Sequence, residues 1–238
     1  MVLPFLFAIA ACAPDVISYP ANPDKSTLLQ RIELPATAAT LLEGRLFAAA
    51  GNTLYYLDAR TGCQRWTYQA DAPIVNNILV ASVQAGRYAL LFADSSGQLY
   101  AVDMHTARTA YKVKLPAKPT GDLLYHDIRL YVPTETGVVA VFADRGTELW
   151  RAGVRPTAPL RIDPKRRLLF TGTESIHLDT QQRAPARSTQ RSTTPEWLSR
   201  QGGLAVKRDG DALVVYTEAK PLPGSAAAPS PLPLSAAR

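Results

Sequence analysis

The sequence predicts an all-β protein, a β-propeller of four-stranded antiparallel blades, from three observations. A segment with a fixed internal pattern occurs three times, at offsets of 45 and 39 residues. These offsets match the roughly 40 to 50 residue period of propeller blades and exceed that of the common helical repeats. Helical periodicity is nearly absent, and residues 195–201 alone favour a helical turn, capped by Thr194.

Each copy contains a glycine, an apolar run that ends in Asp or Phe, and an aromatic residue eight positions after that end. The shared positions are Gly51, Asp58, Gly62 and Trp66 in the first copy, Gly97, Asp103 and Tyr111 in the second, and Gly137, Phe142, Gly146 and Trp150 in the third. A fainter fourth copy ends at Asp179, with no aromatic at the eighth position, Arg187. Equal internal spacing predicts one structural unit used several times.

Turn residues divide each unit into short strands. Gly51, Gly97 and Gly137 precede an apolar run, where a hairpin needs a backbone with positive φ. Around the first copy we expect four strands, at residues 40–50, 54–58, 63–69 and 78–83. A generic antiparallel sandwich is the alternative, but a sandwich does not require repeated units.

The length of the repeat region predicts four to five blades. About 190 residues lie between Leu28 and Glu218, and a blade takes roughly 42 residues. Residues 28–34 are typical of an outer strand but have no inner strands before them. We therefore expect this strand to close the ring against residues 213–216, which leaves no open edge at the join.

The first copy, GNTLYYLDARTGCQRW, is similar to the repeat of pyrroloquinoline-quinone-type propellers, a family that includes the BamB-like outer-membrane lipoproteins. The second copy replaces Gly62 by Ala107, and the third lacks the Asp. The resemblance covers about residues 27–180 and implies the fold. It implies two branches of function, namely quinone-dependent dehydrogenases with a larger ring and a Ca²⁺ ion, and non-enzymatic scaffolds.

The N-terminus looks like that of a bacterial lipoprotein. The apolar run at residues 2–11 ends in small residues before Cys12, and at ten residues it is too short to span a bilayer as a helix. We therefore expect a cleaved signal peptide at 1–11, a lipid anchor on Cys12 and a flexible tether at 12–26. A buried first strand with an incidental cysteine is the alternative. The propeller domain is expected at 27–218, followed by a disordered Pro/Ala-rich tail at 219–238.

The sequence predicts no catalytic, cofactor-binding or metal-binding residues. His105, His126 and His177 lack metal-ligand spacing, and neither a phosphate-binding glycine loop nor a nucleophile elbow is present. With Cys12 lipidated, Cys63 has no second cysteine to pair with, so we expect an inert surface thiol.

Charge is concentrated in residues 161–208, where ten basic residues face four acidic ones, an excess equal to the whole net charge of +6. Our hypothesis is that Arg183, Arg187 and Arg191 form a mobile loop that contacts an acidic partner. A solvated loop without a partner is the alternative. Nucleic acid is disfavoured by export and by the lack of interleaved aromatics.

Together these features predict a non-enzymatic, lipid-tethered scaffold at the outer membrane, facing the periplasm, that binds an envelope protein complex such as the one that assembles outer-membrane proteins. An oligomer is compatible with this prediction. One alternative is a quinone-dependent or glycan-acting enzyme with Asp58, Asp103 or His126 at a central pocket. Another is a structural subunit of a pilus or secretion complex.

Overall fold

The computed structural model describes residues 27–84, 87–185, 198–201 and 204–217. In this part of the chain, twenty strands form five four-stranded antiparallel sheets, and no residue is helical. The prediction of a small all-β propeller is therefore confirmed. None of the described residues belongs to a helix that could cross a membrane.

We number the blades from the first complete sheet. Strand β1 (Thr27–Ile32) precedes it. Blade 1 contains β2 (Ala38–Leu42), β3 (Arg45–Ala50), β4 (Thr53–Asp58) and β5 (Gln64–Gln69). Blade 2 contains β6 (Leu79–Gln84), β7 (Arg87–Ala93), β8 (Gln98–Asp103) and β9 (Thr109–Lys114). Blade 3 contains β10 (Leu124–His126), β11 (Arg129–Thr134), β12 (Gly137–Phe142) and β13 (Glu148–Ala152). Blade 4 contains β14 (Arg161–Asp163), β15 (Leu168–Phe170), β16 (Glu174–His177) and β17 (Arg183–Pro185). Blade 5 contains β18 (Ser199–Gln201), β19 (Leu204–Asp209), β20 (Ala212–Thr217) and, as its outermost strand, β1.

Blade 5 is assembled from both ends of the described chain. Strand β1 pairs antiparallel with β20, with Leu28 opposite Tyr216 and Ile32 opposite Leu213. The expected closing strand is thus confirmed. The helical turn expected at 195–201 is wrong for residues 199–201, which form β18, because their pairing with β19 overrides a weak local helix preference. Residues 195–197 lie outside the described part.

Two predicted strand boundaries in blade 1 are also wrong. Residues 40–50 contain two strands, separated by a turn at Glu43 and Gly44 with φ of +48° and +77°. Positive φ at both central residues is the type I′ geometry that joins adjacent antiparallel strands. The fourth strand of blade 1 is therefore β5, and residues 78–83 overlap β6 at the start of blade 2.

The fourth repeat is shifted by two residues from its predicted alignment. The N–H of Asp58, Asp103 and Phe142 each donates to the carbonyl five residues later, and His177 does the same with Gln182. His177, and not Asp179, is therefore the fourth equivalent. Its eighth following position is Pro185, in the outer strand β17.

The apolar core lies between neighbouring blades, because alternate residues of each strand face opposite sides of the sheet. Separate buried clusters join blades 5 and 1, 1 and 2, 2 and 3, and 3 and 4. Burying a Leu or Phe side chain fully contributes about 1.5 to 3 kcal/mol. The clusters thus fix the order of the blades from blade 5 through blade 1 to blade 4.

Candidate interaction surface

In blades 1 to 4, two turns meet at the same end of the sheet, which we call the turn end. A backbone N–H in the turn after the third strand donates a hydrogen bond to a carbonyl near the turn between the first two strands. In blade 2 this carbonyl lies at the start of the second strand. These bonds run from Ala59 to Gly44 (2.9 Å), from Met104 to Tyr88 (3.1 Å), from Ala143 to Ile128 (2.9 Å) and from Leu178 to Arg167 (2.8 Å). The turn end thus has four equivalent positions, one in each of blades 1 to 4.

Asp58 and Asp103 stabilise the turns that follow them. The Oδ1 atom of Asp103 accepts hydrogen bonds from the backbone N–H of His105 (3.0 Å) and Thr106 (2.9 Å), and its Oδ2 accepts one from Arg87 (3.3 Å). Asp58 accepts backbone bonds from the residues two and three positions on, at 3.0 and 3.1 Å. Burial by itself raises the pKa of Asp103, but the hydrogen bonds from Thr106, His105 and Arg87 outweigh it and lower the pKa. These two carboxylates lie in turns of separate blades, and their oxygens accept hydrogen bonds within their own blade.

The other two blades cap this turn differently. His177 of blade 4 replaces the carboxylate, since its Nδ1 accepts from the N–H of Asp179 (3.3 Å) and Thr180 (3.4 Å). Phe142 of blade 3 has no acceptor for these bonds. His126 ends the innermost strand of blade 3. In the described ranges, no group of three His, Cys, Asp or Glu side chains is arranged to hold a metal ion.

The aromatic residues of the repeats connect each blade to the next. The indole Nε1 of Trp66 donates to the carbonyl of Met104 (3.3 Å), and the hydroxyl of Tyr111 donates to the carbonyl of Ala143 (3.0 Å). Both acceptors directly follow the capping position of the next blade. Trp150, 8% exposed, packs in one cluster with the equivalent Leu178. The aromatic is therefore an inter-blade clamp.

Two glycines of the repeats are required by close approach. A Cβ on Gly146, whose φ is +70°, would lie 2.8 Å from the Tyr111 ring and 2.3 Å from Val113. A Cβ on Gly137, with φ of +146°, would lie 2.0 Å from the carbonyl oxygen of Ala152. The neighbouring chain thus occupies the space that a side chain would need.

The basic cluster and the cysteines of the sequence prediction are only partly described. Arg183 is exposed in the outer strand β17, and Arg187, Arg191 and Cys12 lie outside the described residues. Cys63 is disulfide-bonded, which corrects the expectation of a free thiol. Its partner lies outside the described ranges, and the prediction failed because it assigned the other cysteine of the chain to a lipid.

Asp94, which the sequence analysis did not single out, is the most deeply buried carboxylate of the described part, with no exposed surface. It accepts hydrogen bonds from the hydroxyl of Ser96 (2.7 Å) and the backbone of Gln98 (3.0 Å), and from the hydroxyl of Tyr100 (2.8 Å). Burial raises its pKa, but these bonds outweigh burial and lower it. The sequence Asp-Ser-Ser-Gly, typical of a turn, was the pattern that could have revealed it.

An ion cluster joins blades 3 and 4 at the turn end. Asp179 receives Arg167 of its own blade (Nη2 to Oδ1, 2.7 Å) and Arg129 of blade 3 (3.5 Å). Hydrogen bonding from Arg167, aided by the nearby Arg129, lowers the pKa of Asp179 to about 2. In the fourth repeat, therefore, His177 caps the turn, and the carboxylate of Asp179 bridges two blades.

Comparison with known proteins agrees with this geometry. A family model described as outer membrane protein assembly factor BamB matches residues 79–192. The crystal structure of BamB from Moraxella catarrhalis superposes with a TM-score of 0.53 at 20% identity, over 67% of this chain and 50% of that one. The chain is a β-propeller of pyrroloquinoline-quinone-type repeats. The predicted resemblance to this repeat type is therefore confirmed, and the family model covers it from blade 2 onward.

Curated relatives of this repeat propeller include enzymes. A polyvinylalcohol dehydrogenase of Pseudomonas sp is 26% identical over 190 residues, covering 59% of this chain and 30% of the dehydrogenase. The serine/threonine-protein kinase AfsK of Streptomyces coelicolor is 30% identical over 119 residues, covering 48% of this chain and 14% of the kinase. The propeller thus spans less than a third of the length of either relative.

Proposed function

We propose that this propeller is a non-enzymatic scaffold of the bacterial envelope. It binds another envelope protein, as part of a complex that assembles outer-membrane proteins, the role for which the BamB family is named. The observation that carries the proposal is the use of its polar side chains. Asp58, Asp94, Asp103 and His177 are committed to turns of the ring. A reacting group needs free lone pairs or protons directed at a substrate. The likeness to BamB supports an envelope location.

The scaffold role is tested by the size of the protein in its native membranes. The full chain, tagged after residue 238, is solubilised from host membranes in mild detergent and resolved by native electrophoresis. We expect a complex larger than the chain that dissociates into the chain and other envelope proteins. Recovery of the chain as a monomer from intact membranes would contradict the proposal.

A quinone-dependent oxidoreductase is the second candidate, because the dehydrogenase relative of Pseudomonas sp shares 26% identity with this chain. The purified chain is mixed with pyrroloquinoline quinone and Ca²⁺, and its absorbance is recorded after removal of unbound quinone. A bound quinone spectrum would favour the enzyme, and a spectrum of the protein alone favours the scaffold.

The lipid anchor on Cys12 is part of the proposal, and the disulfide at Cys63 is the observation that opposes it. The sequence contains two cysteines, Cys12 and Cys63. A sulfur that carries a lipid thioether cannot form a disulfide, so the two states exclude each other within one chain. Thiol labelling separates them. A lipidated chain has one reactive thiol without reductant and loses its membrane association in Cys12→Ser, whereas a disulfide-bonded chain gains two thiols only after reduction.

A further inference from the structure

Blade 3 carries a strained, exposed residue at its turn end. Ile128 is the second residue of a two-residue turn, with φ of +57°, after Asp127 at +50°. Blade 1 has Gly44 at the same position of the same turn. A β-branched residue is rare in the left-handed region because its Cβ approaches the following carbonyl oxygen. The Ile128 side chain is 54% exposed, so its own packing offsets little of this strain.

The turn of blade 3 that follows β12 lacks two stabilising interactions, a side-chain cap and a hydrogen bond to a buried carboxylate oxygen. Phe142 stands where Asp58 and Asp103 cap their turns, and the guanidinium of Arg145 lies 3.8 Å from the centre of its ring. In the described part of the molecule, the Oδ1 atom of Asp144 is buried and has no hydrogen-bond partner. Its Oδ2 atom accepts from Arg145 at 2.9 Å. An unpaired buried oxygen costs free energy in the folded chain.

These departures are contiguous. The N–H of Ala143 donates to the carbonyl of Ile128 at 2.9 Å, and Arg129 pairs with Phe142 across β11 and β12. We define the blade 3 patch as Asp127, Ile128, Phe142, Asp144 and Arg145. The sister blades also have non-glycine residues at positive φ, among them Glu43, Ala107 and Arg167, but none of these is β-branched. A strained β-branched residue beside an unsatisfied polar atom is typical of functional sites.

The charges of the blade 3 patch specify what would cover it. Asp127 is exposed and makes no ion pair within the described residues, whereas Asp144 is paired with Arg145. Burial raises the pKa of Tyr125, a hydrogen bond with the Ile128 backbone lowers it, and the negative charges of Asp127 and Asp144 raise it further. An exposed apolar side chain next to the unpaired carboxylate of Asp127 complements an apolar recess flanked by a cationic side chain.

We propose that the blade 3 patch is the surface by which this scaffold binds its protein partner, with Ile128 inserted into an apolar recess flanked by Lys or Arg side chains. This inference rests on the proposed scaffold function and adds its binding surface. Binding would remove the exposed Ile128 side chain from water.

The strain gives the experiment two readouts of opposite sign. Ile128→Gly removes the left-handed strain, so the melting temperature of the purified chain rises by about 2 to 4 °C. The same change removes the apolar anchor, so the affinity for the partner falls at least about tenfold. A residue that serves only the fold cannot combine a more stable chain with weaker binding. Val75→Ala, at the other large exposed apolar side chain of the described part, is the control and changes neither value.

The partner is reached by photo-crosslinking in native membranes. A photoreactive residue replaces Arg145 in the full chain, and a control chain carries it at Thr61, the equivalent turn position of blade 1. We expect an adduct at position 145 that Ile128→Gly greatly reduces, and little adduct at position 61. Once mass spectrometry identifies the cross-linked protein, its affinity for the purified chain should fall with Asp127→Asn and with added salt.

Three results would overturn the blade 3 patch. These are an adduct undiminished by Ile128→Gly, equal adducts at both positions, or an adduct of two copies of this chain. If native complexes persist unchanged with Ile128→Gly, the patch is wrong while the scaffold function stands. If the unmodified chain forms no complex and binds quinone, the function itself is wrong.

Discussion

Blades 1 and 2 end in outer strands of six residues each, whereas the outer strand of blade 4, β17, has three residues, all exposed. The longer strands carry Trp66 and Tyr111, which bond to the next blade. Strand β17 has Pro185 at the equivalent position. The difference follows the architecture, since blade 5 takes its outer strand from β1 and so has no turn between its third and outer strands. The aromatic residue is thus present in the blades whose next blade has a turn after its third strand, which is the turn that the aromatic contacts.

Removal of a clamp should have the largest effect. Trp150→Ala leaves a cavity between blades 3 and 4, and we expect it to lower the free energy of unfolding by about 3 to 5 kcal/mol. Pro185→Ala, at the exposed equivalent position of blade 4, is the control and should change it by less than about 0.5 kcal/mol. Equilibrium unfolding in urea measures both. Equal losses would show that the aromatic does not act between blades.

The glycine beside the Tyr111 clamp gives the next largest effect. Gly146→Ala places a Cβ against Tyr111 and Val113 at positive φ, and should cost about 2 to 4 kcal/mol. Ala107 holds the same turn position in blade 2 with φ of +56°. Ala107→Gly relieves strain there and should stabilise the chain by up to about 1 kcal/mol. The two melting temperatures should therefore move in opposite directions, and a shift of the same sign would exclude the close-approach explanation.

The turn caps distinguish blades 2 and 4 on a smaller scale. Asp103→Ala removes a charged acceptor of several short hydrogen bonds and should cost about 2 kcal/mol. His177→Ala removes two bonds of 3.3 and 3.4 Å and should cost less than about 1 kcal/mol. The lowered pKa of Asp103 means that its stabilisation is present above the ordinary value of 3.8 and is lost as the pH falls below it. Urea midpoints at pH 7 rank the variants, and a larger loss for His177→Ala would reverse the comparison.

The smallest effect concerns the ion cluster between blades 3 and 4. The pKa of Asp179 falls from 3.8 to about 2 on folding. Its contribution is therefore complete above about pH 4 and disappears as the pH falls through about 2. Asp179→Asn should lower the melting temperature slightly at pH 6 and should match the unmodified chain at about pH 1, below the pKa of the folded state. A difference that persists at about pH 1 would mean that the ion pairs are not its cause.

The spacing of residues within a repeat predicted the blades well where the side chains of that repeat cap its own turns. The interval from Asp58 to Trp66 is set by a turn and two short strands, so it recurs as sequence. The fourth repeat was misaligned in the sequence prediction for two reasons. A histidine accepts the same backbone hydrogen bonds as an aspartate, and Asp179, two residues later, has the residue type expected at the equivalent position. The closing strand was predictable because residues 28–34 lacked inner strands of their own.

The surface was less predictable, because its character depends on backbone conformation. Ile128 reads as an ordinary apolar residue in the sequence, and its positive φ is known only from the structure. The buried oxygen of Asp144 depends in the same way on which atoms surround it. The disulfide at Cys63 could not be predicted once Cys12 was assigned another chemistry.

The pairing of β1 with β20 determines where the polypeptide enters and leaves the ring. Thr27 lies opposite Thr217, at the end of the third strand of blade 5, which corresponds to Asp58 in blade 1. Any segment joined before residue 27 or after residue 217 therefore departs from neighbouring points on the same side as Ile128. A membrane attachment through either terminus would therefore join the domain on that side, and a short linker between Thr27 and Thr217 would permit circular permutation without crossing the opposite side.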